Sequence, residues 1–145
     1  KENENIDAII EIADCYVKMG NLENATTFIS SLSEKIQNDA KLRKIKTAIE
    51  LAQNAPSDNN IIKDLQSKID NDPNDHQSRI ELSLYYNSNG NQSEAADLLI
   101  ESIKLDREWN EKAAQNQLLK FFEVWGFTDP VAIAKRKNLS SILFS

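Results

Sequence analysis

Apolar residues recur along this chain at spacings of three and four, the period of amphipathic helices. The clearest stretch, residues 72–105, predicts two antiparallel helices joined at Gly90. Gly90 is the predicted stop because the residue just past a helix end often adopts a left-handed conformation, which costs a residue with a Cβ about 1 kcal/mol. We expect Asn91 to cap the second helix and Glu94 to return a capping-box hydrogen bond. The apolar stripes of the two helices contain Leu82 and Tyr86, then Ala95, Leu98, Leu99 and Ile103.

A weaker copy of this helix pair surrounds Gly20. The two glycines lie 70 residues apart (90 − 20), which is twice 35 and close to the 34-residue period of tetratricopeptide repeats. A degenerate helix pair is therefore expected between the two copies. Aligning the glycines sets Ala13 on Ser83, Tyr16 on Tyr86, Ala25 on Ala95 and Ile29 on Leu99.

Four helix pairs account for the pattern, and isolated helices of this length are marginal in water unless neighbouring pairs stack. The sequence therefore predicts an all-α fold: one tetratricopeptide-like domain over residues 1–145, wound as a right-handed superhelical array. The boundary near residues 106–110 has neither glycine nor proline and is the least marked. The pairs cover approximately residues 5–33, 39–71, 75–105 and 110–144.

Charge and composition exclude several classes of function. The chain has a formal net charge of -6, whereas a nucleic-acid binder usually presents a basic face. No apolar run approaches the roughly 18 residues of a membrane span, and the first five residues are no signal peptide. We expect a cytoplasmic protein without a nucleic-acid or membrane partner, whose oligomeric state the sequence leaves open. The abrupt start on KENEN favours a piece of a longer protein.

Candidate catalytic residues are few. Cys15, the sole cysteine, lies between residues of the predicted core side, and we interpret it as a small buried hydrophobe. His76, the sole histidine, is expected to be solvent-exposed in the first turn of its helix. The run from Lys135 to Lys137 either complements the dipole of the last helix or forms a binding patch. With no phosphate-binding or hydrolase motif, we expect no enzyme activity, metal or cofactor.

Residues 49–55, 72–126 and 129–144 resemble the C-terminal repeat region of thioredoxin-fold co-chaperones of the YbbN/CnoX type. The most specific similarities are the DP pair at 72–73 followed by Arg79, Asp106 with Trp109, the helix ending LLKFFEVWG and the closing run RKNLSSILF. The resemblance implies a redox-linked holdase or adaptor that binds unfolded client proteins and passes them to a GroEL-type chaperonin. A thioredoxin-like domain precedes the repeats in that family. This chain has no CxxC pair, so any thiol-disulfide activity would belong to an absent N-terminal region.

In that family the contact with the chaperonin is associated with the C-terminal helix, here residues 129–144. The alternative is that this helix only caps the last pair. A different class of function is also open, an assembly scaffold that binds one dedicated folded partner or a second copy of itself. The residues that the resemblance suggests for partner binding are Arg136, Leu139, Ile142, Leu143 and Phe144.

Some tetratricopeptide repeat domains bind the acidic tails of eukaryotic chaperones. These domains resemble one another in having Lys and Asn at set positions on the first helix of each repeat, which together form a clamp. The matching positions here hold Ile10, Asp14, Ile80 and Leu84. The clamp is missing, so an apolar or mixed peptide surface is a better candidate ligand than an acidic tail.

Overall fold

The computed structural model describes residues 5–144, and within that range the chain forms nine helices and no strand. Residues 1–4, part of the stretch that we predict to be no signal peptide, and residue 145 lie outside it. The predicted all-α fold is confirmed. The helices are α1 (Ile6–Lys18), α2 (Leu22–Ser30), α3 (Glu34–Gln37), α4 (Ala40–Asn54), α5 (Asn59–Asn71), α6 (His76–Ser88), α7 (Gln92–Leu105), α8 (Trp109–Trp125) and α9 (Pro130–Leu143).

The chain divides into two compact units between Gln53 and Asn54. In the first unit α1 and α2 form the expected pair, and α3 is a short helix that the apolar pattern does not predict. Ser33 caps α3 through its hydroxyl, which accepts a hydrogen bond from the Ile36 N–H. The core of this unit consists of Ile9, Ala13, Ala25, Ile29, Leu42, Ile45 and Ile49.

The second unit contains α5 to α9, with α6 and α7 packed closely along each other. Ser83 and Ala95 are both fully buried, which fits small residues where two helices approach. The predicted winding of all pairs into one right-handed array, and the single domain over 1–145, stay predictions. The largest side chains of this unit that are almost wholly buried are Phe121, Leu82, Leu99, Ile103 and Leu118.

Helix ends follow the sequence signals with one exception. Gly20 and Gly90 have φ angles of +76° and +80°, so both adopt the left-handed conformation predicted for them. Asn91 makes no capping hydrogen bond with its side chain, so the predicted capping box is wrong. Its backbone angles match those of Asn21, which does cap α2, so the difference lies in the side chain alone.

The start of α8 departs from regular helix. Asn110, Glu111 and Lys112 have φ angles of 48°, 57° and 64°, a left-handed turn of three residues that each carry a Cβ. Such a conformation costs roughly 1–2 kcal/mol per residue. This strained turn falls at the pair boundary for which the sequence offers neither glycine nor proline.

Candidate protein-binding surface

Helix α9 is fixed on α7 and α8 by its cap, its apolar face and one ion pair. Asp129 caps its start by accepting a hydrogen bond from the Ala132 N–H at 2.9 Å, and Pro130 occupies the first turn, where the missing N–H of proline costs nothing. Ala132 and Leu139, seven residues apart, are the buried positions of the helix. Lys135 Nζ lies 2.7 Å from Asp97 Oδ1 on α7. These contacts set the rotation of α9 and turn Arg136 towards α8.

Arg136 lies between two aromatic rings. Its guanidinium carbon is 5.1 Å from the centre of the Phe122 ring and 4.8 Å from that of Phe127. One terminal N–H also donates to the Phe122 carbonyl oxygen at 3.4 Å. Cation–π contacts of this kind contribute about 0.5–1 kcal/mol at exposed sites and more where water is excluded. The guanidinium is therefore held in one position before any partner arrives.

A cleft of about 330 Å³ opens beside this guanidinium, and we call it the Phe127 cleft. Phe127 is 84% exposed and Leu119 is 46% exposed, so two large apolar side chains face solvent there. Gly126, with a φ of +96°, provides the turn between α8 and α9 that precedes Phe127. The lining residues are Leu119, Phe122, Glu123, Gly126, Phe127 and Arg136.

The cleft rests on a buried aromatic cluster. Phe121 and Phe122 are buried, and the ring of Trp125 stacks on Phe121 with 5.4 Å between centroids and 13° between planes. Trp125 Nε1 donates a hydrogen bond to Asn87 Oδ1 on α6 at 2.8 Å. The Phe122 ring that supports Arg136 is buried and meets the Trp125 ring edge-on with 6.1 Å between centroids, so it belongs to this cluster. The aromatic residues of α8 thus pack inside the second unit.

Two family models, both described as tetratricopeptide repeat, match this chain over residues 1–49 and 54–144. The chain belongs to the tetratricopeptide repeat family. Domains of this family generally mediate protein–protein interactions and are typically non-catalytic. Their stacked helix pairs offer extended binding surfaces.

One solved structure with the same fold is a domain of protein VP0806, of unknown function, from Vibrio parahaemolyticus. It matches with a TM-score of 0.54 and 23% sequence identity, covering 97% of this chain and 81% of that one. At that identity the likeness concerns the fold alone. No curated protein sequence matches this chain.

The residues suggested for partner binding have different surroundings on the last helix of this tetratricopeptide repeat chain. Leu139 is buried and supports α9 from below, whereas Ile142 and Leu143 are half-buried. The carbonyl oxygens of Ile142 and Leu143 accept hydrogen bonds from Arg107 at 3.0 Å and 3.4 Å. Phe144 is 84% exposed. It follows Arg136 by eight residues, about 12 Å along a helix.

A second groove, of about 380 Å³, lies between α7 and α9, and Ile142 is one of the residues that line it. Charged and amide side chains dominate its lining, and Ile100 and Ile142 are its only apolar side chains. It therefore offers little apolar contact area compared with the Phe127 cleft. Its lining consists of Asp97, Ile100, Glu101, Lys104, Asn138, Ser141 and Ile142.

The run from Lys135 to Lys137 does not complement a helix dipole. Helix α9 continues to Leu143 and has no basic residue in its last turn, so that interpretation is wrong. The three side chains instead diverge: Lys135 pairs with Asp97, Arg136 contacts two rings, and Lys137 is exposed.

His76 and Cys15 both differ from expectation. His76 is buried, with Nδ1 2.5 Å from Ser102 Oγ and its ring centroid 5.2 Å from the Trp109 ring. The end of α7 and the start of α8 thus cover it, which its sequence position alone does not indicate. Cys15 is exposed, because it lies two residues and so about 200° around the helix from the buried Ala13.

Two apolar residues of the cleft, Leu119 and Phe127, were not predicted from the sequence. A signal was available for Phe127, since a large aromatic residue directly after the helix-ending Gly126 is unusual in a surface connection. Ile133, three residues before Arg136 and therefore on the same side of α9, is exposed as well.

The described part of the chain offers no other obvious chemistry. Among residues 5–144, no group of three or more His, Cys, Asp and Glu side chains is arranged to hold a metal ion. In the same range, no helix is long and apolar enough to cross a membrane.

Proposed function

We propose that this chain is the protein-binding part of a thioredoxin-related co-chaperone, and that it holds unfolded clients or contacts a GroEL-type chaperonin through the Phe127 cleft. The observation that supports this most directly is the exposed apolar cleft beside a fixed guanidinium. The resemblance of residues 72–126 and 129–144 to co-chaperones of the YbbN/CnoX type supplies the choice of partner. This role implies a bacterial, cytoplasmic protein.

The chemistry of the cleft suits a segment with apolar side chains. Exposed apolar patches on folded proteins mark interaction sites, and aromatic and arginine side chains supply much of the energy at such sites. Phe127 and Leu119 provide apolar contact, and Arg136 can donate hydrogen bonds to a backbone carbonyl of the ligand. Because the two rings already hold Arg136, little side-chain entropy is lost when a partner binds.

The size of the cleft limits what it accepts. Its volume of about 330 Å³ lies at the lower end of the roughly 300–1,000 Å³ typical of ligand pockets. We therefore expect it to take one or two side chains of an extended segment. Unfolded clients and flexible chaperonin segments both offer such side chains.

The other residues of α9 act in different ways in this proposal. Phe144 forms a second apolar contact at the C-terminal end of the helix. Ile142 and Leu143 are half-buried, so only the exposed parts of their side chains can contact a partner. Leu139 is buried and holds α9 in place. Removing the C-terminal half of α9 would expose the core, so substitutions of exposed residues test the surface better than truncations.

Two assays on the intact chain test the function. We expect it to slow the aggregation of a heat-denatured test protein at roughly equimolar ratio, or to bind a purified GroEL-type chaperonin in a sedimentation or interferometry experiment. Serum albumin at the same mass concentration controls for crowding in the aggregation assay. A folded chain that is inert in both assays contradicts the proposal.

A further inference from the structure

Helix α1 and its C-cap residue Met19 present an apolar stripe to solvent beside the core face of the helix. Met19 is 69% exposed and Ile12 is 45% exposed, and Cys15 and Ala8 are exposed with them. These four residues follow helical spacings of four, three and four, so they form one continuous line along α1. The core positions Ile9 and Ala13 point into the first unit instead.

We propose that this stripe, formed by Ala8, Ile12, Cys15 and Met19, packs against the same stripe of a second copy of the chain in an antiparallel helix pair. The charges beside the stripe favour this occupant. Glu11 and Lys18 are seven residues apart and lie along the same edge of the stripe. In an antiparallel pair this edge of one helix meets the same edge of the other.

A two-fold axis midway between residues 14 and 15 brings these charges together. Residues 11 and 18 are equally far from 14.5, so Glu11 of each copy lies level with Lys18 of the other. In a parallel pair, the edge with Glu11 and Lys18 would instead face the other edge of the partner's stripe. That other edge carries the half-buried Tyr16 and no charged residue that could pair with Glu11 or Lys18. The charge pattern therefore selects the antiparallel arrangement.

Lys18 is available for such a contact. Its side chain is 77% exposed although Nζ lies 2.9 Å from Asp14 Oδ2. The hydrogen bond to Asp14 and the charge of that carboxylate raise the pKa of Lys18, which favours the charged ammonium form. A second carboxylate, Glu11 of the partner copy, can share its donors.

The association should be weak and reversible. Four side chains on one helix cover much less than the roughly 800 Å² per partner found in stable complexes. The proposal is independent of the proposed function, because the stripe lies in the first unit and the Phe127 cleft in the second. Failure of either one leaves the other unaffected.

Cross-linking through Cys15 reports directly on the proposed dimer. Cys15 lies next to the proposed two-fold axis, which passes between residues 14 and 15, and it is the only cysteine of the chain. Two Cys15 residues near the axis can approach to the Cα separation of roughly 4.4–6.8 Å that a disulfide requires. We expect mild oxidation, or a short bis-maleimide, to cross-link the chain in a yield that rises with protein concentration. Sedimentation equilibrium should show a matching shift in average mass. A monomeric mass up to millimolar concentration overturns the proposal.

Charge-reversal variants identify the interface. Glu11→Lys should weaken the dimer by about three- to tenfold, and adding Lys18→Glu should restore most of it, because the exchanged charges meet again. Glu23→Lys, an exposed residue of α2, changes the net charge equally and should have no effect. Ile12→Asp should abolish the cross-link. Circular dichroism verifies that each variant keeps its helix content. If neither Glu11→Lys nor Ile12→Asp weakens dimerisation, this interface is contradicted.

Discussion

The guanidinium carbon of Arg136 lies 4.8 Å from the centre of the Phe127 ring, although the two residues belong to a helix and to the connection before it. They are nine positions apart in the sequence (136 − 127). The contact exists because Asp129 and Pro130 start α9 immediately after the loop and fix the rotation of the helix. The most exposed aromatic ring of the cleft is thus coupled to a charged group that cannot move freely.

This contact predicts that alanine and lysine at position 136 lower the free energy of unfolding by different amounts. Arg136→Ala should lower the free energy of unfolding by about 1 kcal/mol, because contacts with two rings and one carbonyl are lost. Arg136→Lys should recover only part of this, since an ammonium group lacks the planar surface that stacks on a ring. Urea denaturation measures both values. The exposed neighbour Lys137, changed to Ala, is the control and should stay within about 0.5 kcal/mol of the original chain.

The buried pair of His76 and Ser102 predicts a second effect on stability. Ser102→Ala removes the partner of His76 Nδ1 inside the fold and should cost about 1–3 kcal/mol of unfolding free energy. Ser67→Ala, on the exposed side of α5, should be neutral or slightly stabilising, because alanine favours helix. Denaturant titration of the two variants distinguishes them. Equal stabilities for both would show that the His76 contact contributes nothing.

In the left-handed turn at the start of α8, a substitution by glycine should stabilise the chain, whereas glycine in a regular helix destabilises it. Glu111 has a φ of 57°, so Glu111→Gly should raise the unfolding free energy by about 0.5–1 kcal/mol. Glu101→Gly, at an exposed position inside the regular helix α7, should lower it by a similar amount. If Glu111→Gly destabilises the chain as much as Glu101→Gly does, the turn is right-handed in solution.

The exposure of Cys15 predicts rapid reaction with thiol reagents. At low micromolar protein concentration, the native chain should react with an aromatic disulfide reagent within about tenfold of the rate in denaturant, because no core residue covers the sulfur. Absorbance of the released thiolate follows both reactions. Protection by several orders of magnitude in the native state would place the thiol inside the core.

The sequence predicts the helical pattern well where local signals are strong. Gly20 and Gly90 end their helices as predicted, because that signal depends only on backbone conformation. Asn5 and Asp129 start theirs through nearby side-chain hydrogen bonds, which are equally local. The short helix α3 and the left-handed turn at 110–112 were missed. The first is too short for an apolar period to register, and the second contains no glycine, with Asn110 as its only residue of a type enriched at positive φ.

The candidate site was predictable only in part. Arg136 was chosen through a resemblance, but its contact with Phe127 depends on how α9 rotates against α8, a tertiary property. Leu139 and Phe144 look equally apolar in the sequence, yet one is buried and the other exposed. His76 likewise became buried through helices that come later in the chain. Such differences arise from packing between helices, which the period of one helix does not specify.

The most direct test of a binding site at the Phe127 cleft is binding of a GroEL-type chaperonin or an unfolded client by three variants with serine in place of an exposed apolar residue. Phe127→Ser should weaken binding by about tenfold or more, and Phe144→Ser should have a smaller effect. Ile61→Ser, on α5, is the matched control, because Ile61 is 46% exposed and lies outside the cleft. Unchanged binding by Phe127→Ser, or an equal loss for Ile61→Ser, would contradict a binding site at the Phe127 cleft.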